Sequence, residues 1–342
     1  MIMTVDIVIP LKGDLSSLKL LFQSLAQQSE FVNEVIVVQS GSPRSVHGQI
    51  EPLDENTNQL RRFQYLGLNV LLCKFAQILM PGQARNIGIS KSYAHNIAFL
   101  DQNTIPSPQW LPNSLNLMHI KRLHVMCGST RYAYVDYMQK IIIASSYGFL
   151  PLRSVPGTIL ERQALYKLGY FLPHARAAED IAFMARVNEF YRISSASSST
   201  DHSLTYVLHS SSIRYYVSKW YRNYTLGASY ALLSLQQTAL FFFIAIILLL
   251  ISYSWNSVVA RWVIDSPTYI PFVSRFTLSL IILSYVVGRG FLLPFRKGAY
   301  SFGRCNILDF LPILAISFFL DLSKSAALIY RLRKFLFYRW SL

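Results

Sequence analysis

The chain has 342 residues, enough for one large domain or two smaller ones, and 52% of them are hydrophobic. Lys and Arg number 32 against 17 Asp and Glu, a formal charge of +15. The basic residues crowd beside apolar runs, as in Arg331-Leu332-Arg333-Lys334, which favours an anionic membrane surface as partner and argues against nucleic acid. No zinc-finger spacing, RNA-recognition motif or long basic helix occurs, and the three cysteines, Cys73, Cys127 and Cys305, are too scattered for a disulfide framework or a structural zinc site.

The predicted elements begin with Val5 to Pro10, a short apolar run read as a buried strand. Met1 to Pro10 has no basic n-region followed by a long apolar stretch. A cleaved signal peptide is therefore not expected, and the N-terminal domain is expected in the cytosol. Lys12-Gly13-Asp14 is turn chemistry, after which Leu18, Leu21, Phe22 and Leu25 recur at helical spacing. Glu34 to Val38 is a second β-branched run closed by Ser40-Gly41-Ser42, and this β-turn-α-β order predicts a parallel sheet. Residues 43–62 read as a polar helix and loop, Asn69 to Phe75 as a third strand, and Gly82 to Ser92 as a loop leading into a helix. Ile97 to Leu100 is a fourth strand with Asp101 at its carboxyl end, where ligands bind in open α/β sheets. Leu123 to Tyr134 predicts another strand, and Leu152 to Leu172 carries Pro156-Gly157 and then a helix-like stretch to Gly169. Ala178 to Phe190 predicts a helix with Glu179 and Asp180 in its first turn, and Leu204 to His209 a last short strand.

Beyond residue 220 the composition changes. From Asn223 to Ala260 there is no Asp, Glu, Lys or Arg, and the stretch 238–255 is long and apolar enough to span a bilayer. A second span is expected over 276–295, with Arg289 placed to snorkel to the interface. Phe310 to Leu320 is shorter and flanked by Asp309, Asp321 and Lys324, so 306–330 is read as interfacial. Lys219-Trp220-Tyr221-Arg222 suits an amphipathic interface or linker helix over 216–237. The expected organisation is thus a globular domain over 1–215, the linker helix, and a membrane region over 238–342. The basic residues after Gly288 place the C-terminal tail in the cytosol by the positive-inside rule, on the same side as the globular domain, which two crossings satisfy.

The first part of the chain, about residues 4–215, resembles the family 2 glycosyltransferases of the GT-A fold. Val5-Asp6-Ile7-Val8-Ile9-Pro10 is similar to the family's opening strand, and Val35 to Ser42 to its nucleotide-contacting strand and turn. Gly82-Gln83-Ala84-Arg85-Asn86-Ile87-Gly88 is similar to its Ala-Arg-Asn-x-Gly element. Asp101-Gln102-Asn103 is similar to its Asp-x-Asp segment, and Glu179-Asp180 to its acceptor-side acidic pair. The resemblance implies a Rossmann-like mixed α/β sheet and transfer of a sugar from a nucleotide-diphosphate donor to a lipid-linked or polysaccharide acceptor, with membrane lipids as neighbours. It also implies Asp180 as the general base of an inverting reaction, assisted by Glu179, and donor contacts from Pro10, Gln39, Ser40, Arg85, Asn86, Asp101 and Gln102. A divalent metal, Mg2+ or Mn2+, would neutralise the departing diphosphate, with Asp101, Asn103 and His209 as its candidate ligands. Trp110, just past the Asp-x-Asp segment, is a candidate for packing either beneath the acceptor or in the core.

Two departures from the family pattern stand out. Gln39 and Ser40 occupy places where the family usually carries aspartate, and Asn103 ends the Asp-x-Asp segment without a charge. They keep open a second reading, a catalytically degenerate subunit that binds or scaffolds in a polysaccharide assembly complex.

Overall fold

A computed structural model of the chain describes residues 3–41, 59–191, 203–226 and 232–339. Its first elements are β1 (Val5–Lys12), α1 (Lys19–Ala26), β2 (Val32–Ser40), β3 (Gln59–Tyr65), β4 (Leu68–Phe75) and α2 (Pro81–Lys91). Then follow β5 (Asn96–Phe99), β6 (Thr104–Pro106), α3 (Trp110–Lys121), β7 (Val125–Ala133), α4 (Tyr137–Ser145), β8 (Leu152–Glu161), α5 (Arg162–Leu168), α6 (Glu179–Phe190) and β9 (Ser203–Val207). The remainder is helical: α7 (Ile213–Leu226), α8 (Leu232–Val258), α9 (Val273–Val287), α10 (Leu293–Arg296) and α11 (Phe310–Arg339).

The chain divides into two compact units. The first takes the described residues through Val135 together with Leu150–His209; the second takes Asp136–Phe149, Ser210–Thr225 and the helices from α8 onward.

The first unit is built on a sheet of order β3-β4-β2-β1-β5-β8-β7-β9-β6. The sheet is mixed, as the resemblance implies, and the β1-α1-β2 unit within it is parallel. β4, β2, β1 and β5 run parallel, whereas β3, β8 and β6 each lie antiparallel to their neighbours. The parallel centre is covered on both faces, as such strands require, which is why β1 and β2 read as continuous apolar runs. Val5, Ile7, Ile9 and Leu11 pack with Leu21 and Leu25 of α1 and with Trp110, Leu111 and Leu115 of α3. Val8 points the other way, into Ile89, Ile97, Phe99, Leu165 and Phe183. Asp6 is buried within β1, where its carboxylate accepts hydrogen bonds from Asn33 (2.7 Å), Ser92 (2.8 Å) and the Tyr93 and Ala94 amides.

Three local readings change. The segment 43–62 lies outside the described residues up to 58, and from Gln59 the chain is an exposed edge strand, not helix or loop. The helix α2 begins at Pro81 itself, with proline in the first turn where its missing N–H costs nothing. A Cβ on Gly82 would fall 2.4 Å from the Leu172 carbonyl and one on Gly88 2.3 Å from a Val8 methyl, so the glycines here serve close packing of a helix rather than a loop. Pro156-Gly157 sits inside β8, and the helix-like stretch to Gly169 follows as α5: the β7–β8 register slips between Met126 and Gly128, opposite the pair. A bulge accommodates a residue without an N–H donor.

In the second unit α8 and α9 form a hairpin. Asn256 bonds the Ile270 backbone in both directions (2.7 and 3.1 Å), and the Trp255 indole donates to Thr268 O (2.9 Å). Phe241–Val258 and Val273–Arg296 are long and apolar enough to cross a membrane, with only 11% and 6% of them buried within the protein. A buried core helix would show the reverse. A π-helical turn, Gly288–Leu292, precedes α10, and Gly290 lies so close to the Phe310 ring that a Cβ would stand 2.5 Å from it. Arg289 does not simply reach outward; it pairs with Asp321 of α11. From Phe310 on, the stretch expected as an interfacial piece over 306–330 is part of a single 30-residue helix, α11, preceded by a short turn over Ile307–Asp309. The amphipathic helix α7 lies along α11, with Ser323 donating to Val217 O (2.8 Å) and Arg331 to Tyr224 O (3.2 Å).

Candidate active site

Parallel pairing brings the carboxyl ends of β1, β2 and β5 to one edge of the first unit. Leu11 and Lys12 lie beside Gln39 and Ser40, and the chain leaving β5 delivers Asp101 to the same edge. The turn after β5 is held by Thr104, whose hydroxyl donates to Asp101 O (2.6 Å) and accepts from the Asp101 amide (3.1 Å). Gln102 is tied back to β1, its Oε1 accepting from the Lys12 amide at 3.0 Å.

Arg85 organises the polar centre. Its side chain is 4% exposed, on the buried side of α2 and over the Phe171 ring at 5.3 Å. One Nη donates to Asp101 Oδ1 at 2.8 Å and the other to Glu179 Oε1 at 3.0 Å. Burial works against its charge, but Asp101, Glu179 and Asp180 more than restore it, and its pKa is raised. Burial pushes the Glu179 carboxyl up; Arg85 opposes this, the Asp180 charge adds to it, and the net direction is upward.

Glu179 and Asp180 open α6, preceded by Ala178 at φ +65°, a left-handed conformation uncommon for a residue with a Cβ. Strain of this kind persists only where the surroundings enforce it. Here it starts the helix so that Glu179 turns inward to Arg85 while Asp180 faces a cavity of about 560 Å³. Asp101, Arg153, Asn188, Tyr132 and Tyr206 also line that cavity. The arrangement separates two carboxylates by environment: Glu179 fixed by an ion pair, Asp180 open to a bound molecule.

The other sequence-derived candidates fall as follows. Gln39 is buried; its amide donates to Gly13 O (2.7 Å), while its Oε1 is buried with no hydrogen-bond partner, an acceptor suited to a ligand N–H. Ser40 is buried and Pro10 half-buried at the same sheet edge. Asn86 is engaged with the backbone, donating to Phe171 O (2.8 Å) and accepting from the Phe171 amide (2.9 Å), so it fixes the chain beneath Arg85. Asn103 donates to the Tyr206 hydroxyl at 3.5 Å, and His209 is an exposed residue just beyond β9. Trp110 is wholly inside the core, the second of its two expected places, its indole donating to Gly157 O (3.3 Å).

Among the described residues no three His, Cys, Asp or Glu side chains come together as a metal cage. A hydrated Mg2+ or Mn2+ held largely by phosphate oxygens needs only one or two protein carboxylates, and Asp101, 32% exposed and bonded to Arg85 through one oxygen, fits that demand. Sequence reasoning did not single out Phe171, Arg153, Asn188, Tyr132 or Tyr206. The Tyr132 and Tyr206 rings, 5.1 Å apart, meet only because β7 and β9 pair across more than seventy residues of chain.

No curated protein matches the chain. Among solved structures it is similar to Staphylococcus aureus TarS 1–349 in complex with UDP-GlcNAc, at 13% identity over 92% of this chain and 90% of that one, with a TM-score of 0.42. It is also similar to the mannosyltransferase PcManGT from Pyrobaculum calidifontis in complex with GDP-Man and Mn2+, at 12% identity over 97% and 88% of the two chains, with a TM-score of 0.48. The glycosyl transferase family 2 sequence profile matches residues 6–179, just over half of the chain, from the opening strand through Arg85 and Asp101 to the residue before Asp180. With that match, the chain belongs to glycosyl transferase family 2 and is a glycosyltransferase.

Proposed function

We propose that the protein transfers a sugar from a nucleotide-diphosphate donor to a lipid-linked or polysaccharide acceptor, with inversion, Asp180 acting as the general base. The observation that carries this reading is the division of labour around Arg85. It neutralises Glu179 and holds Asp101, leaving Asp180 as the cavity-lining carboxylate that Arg85 does not bond. A base for an acceptor hydroxyl needs that access. In the same reading the donor lies over the strand ends, with Pro10, Ser40 and Gln102 along the nucleotide. The orphaned Gln39 Oε1 takes an N–H of the base, a role an amide fills without the charge of aspartate. Arg85 keeps Asp101 oriented toward the diphosphate, and Asn86 keeps Arg85 seated by fixing Phe171. A divalent metal at Asp101, with Asn103 and His209 as further candidate ligands, supplies neutralisation of the leaving diphosphate.

Two crossings by α8 and α9 then anchor the enzyme in the cytoplasmic membrane, with the catalytic unit and the basic C-terminal tail in the cytosol. The test is nucleoside-diphosphate release by the full-length protein with UDP-, GDP- and dTDP-sugars, membrane lipid extract, and manganese or a chelator. Release that needs both the extract and the metal, with a product of inverted anomeric configuration, is the expected outcome. Intact donor binding without release under any condition would instead favour the scaffold reading that Gln39 and Asn103 keep open.

A further inference from the structure

The second unit carries an imbalance of charge where its helices meet. Arg289, in the π-helical turn after α9, makes a two-point ion pair with Asp321 of α11, Nε–Oδ2 2.5 Å and Nη2–Oδ1 3.0 Å. Lys324, one turn further along α11, shares the same carboxylate at 3.1 Å, and the Tyr285 hydroxyl donates to it at 3.2 Å. Arg289 and Lys324 are each only 16% exposed, and Asp321 4%. Lys297, just beyond α10, is half-buried within electrostatic reach of all three, its ammonium donating to the Ser146 carbonyl. Three cations thus face one carboxylate that is already saturated. The nearby Asp309 is committed to Lys140 (2.8 Å) and Tyr137 (2.9 Å). Burial lowers the Lys297 pKa to about 8, and repulsion from Arg289 and Lys324 adds to the fall; Lys324 is lowered as well, by burial first. One more donor lies alongside. The Trp220 indole N–H, on a ring that Lys324 covers at 5.2 Å, is buried with no partner. Buried cations in excess, next to an unused N–H, call for an anion rich in acceptor oxygens.

We propose that Arg289, Lys297, Lys324 and the Trp220 indole form a binding site for a phosphate group, located at the end of the second apolar helix. A phosphate matches the imbalance in charge, and its oxygens can accept from donors arriving on separate helices, which a single carboxylate does less well. Lys297 immediately follows the apolar stretch Val273–Arg296 and Arg289 lies in its closing part, so the site approaches the level at which lipid headgroups lie if that stretch spans a bilayer. The site itself stands whether or not the protein transfers sugar; only a lipid as the source of the phosphate rests on the membrane reading.

The experiment uses full-length protein in a neutral detergent, titrated calorimetrically with dioctanoyl phosphatidic acid, with inorganic phosphate, and with dioctanoyl phosphatidylcholine, whose headgroup carries no net charge. The variants are Lys297→Gln, which removes a cation without stranding a carboxylate, and Arg296→Gln, which removes the neighbouring one. Saturable binding of phosphatidic acid by the wild type is expected, weakened about tenfold or more in Lys297→Gln, the loss of one charge-assisted contact, and unchanged in Arg296→Gln. Inorganic phosphate binding as tightly would make a free anion the ligand; phosphatidic acid alone would make it a lipid headgroup. No saturable binding of either, or equal losses in both variants, would overturn the site. Melting gives a second readout. Without ligand, Lys297→Gln should melt no lower than wild type, and at one concentration of phosphatidic acid the wild type and Arg296→Gln should gain more than Lys297→Gln. A variant that melts lower without ligand would make Lys297 a structural contact instead.

Discussion

Arg85 carries more of this site than its short exposure to solvent implies. A guanidinium with a raised pKa, gripping Asp101 and Glu179 and resting on Phe171, converts three acidic residues into a graded set. Removing it would strand two carboxylates, one of them buried, the costly way to break an ion pair. Glu179 gives a testable pH signature. Its pKa is raised in the folded state, so its contribution to stability is complete below the ordinary carboxylate range near 4.3 and is lost as pH rises through the folded value. Melting temperature followed upward from about pH 4 should therefore fall less steeply in Glu179→Gln than in wild type. A parallel pair of curves would mean that Arg85 compensates the charge fully. At this scale the acidic pair and Asp101 were legible from their places at a helix start and beyond a strand end, and Arg85 from the Ala-Arg-Asn-x-Gly element that its stretch resembles. Phe171, Tyr132 and Tyr206 were not, because long-range strand pairing and a loop of irregular backbone bring them in.

Among the elements, α2 shows most clearly how packing fixes the site. Gly88 lets the helix lie against Val8 of β1, and the same helix carries Arg85. Gly88→Ala should cost about 1–3 kcal/mol in chemical denaturation, the usual penalty for overfilling a packed contact. In a Val8→Ala background, where the clashing methyls are gone, the cost should be less than half of that. An undiminished cost would place the strain elsewhere. The parallel strands were readable as apolar runs. β3 was not, since most of its side chains are exposed and it lacks the alternation of a half-buried strand. The strand β8 was not read around Pro156-Gly157, because a breaker pair held in a bulge hides the strand that carries it. The full length of α11 was hidden for a different reason. Asp321 and Lys324 read as charged flanks, whereas Asp321 is neutralised by Arg289, 32 positions away.

For the whole molecule, two outward-facing apolar helices are the feature that most needs an explanation beyond a water-soluble enzyme. Leu283, near the middle of Val273–Arg296, is 58% exposed. On a water-facing surface Leu283→Lys would be harmless. In a bilayer it should oppose insertion by about 2.5–3.5 kcal/mol and shift the protein out of the alkali-resistant membrane fraction. Unchanged fractionation would argue that these helices do not span. The composition shift after residue 220 made both helices legible.

The most direct test of the central claim is to separate donor binding from turnover in Asp180→Asn. Purified wild type and variant would be compared for nucleotide affinity by calorimetry and for nucleoside-diphosphate release with the active donor and lipid extract. With Asp180 as the base, affinity should stay within about twofold while turnover falls by about a hundredfold to ten-thousandfold. Turnover close to wild type would contradict the assignment and move the base to another residue of the cavity.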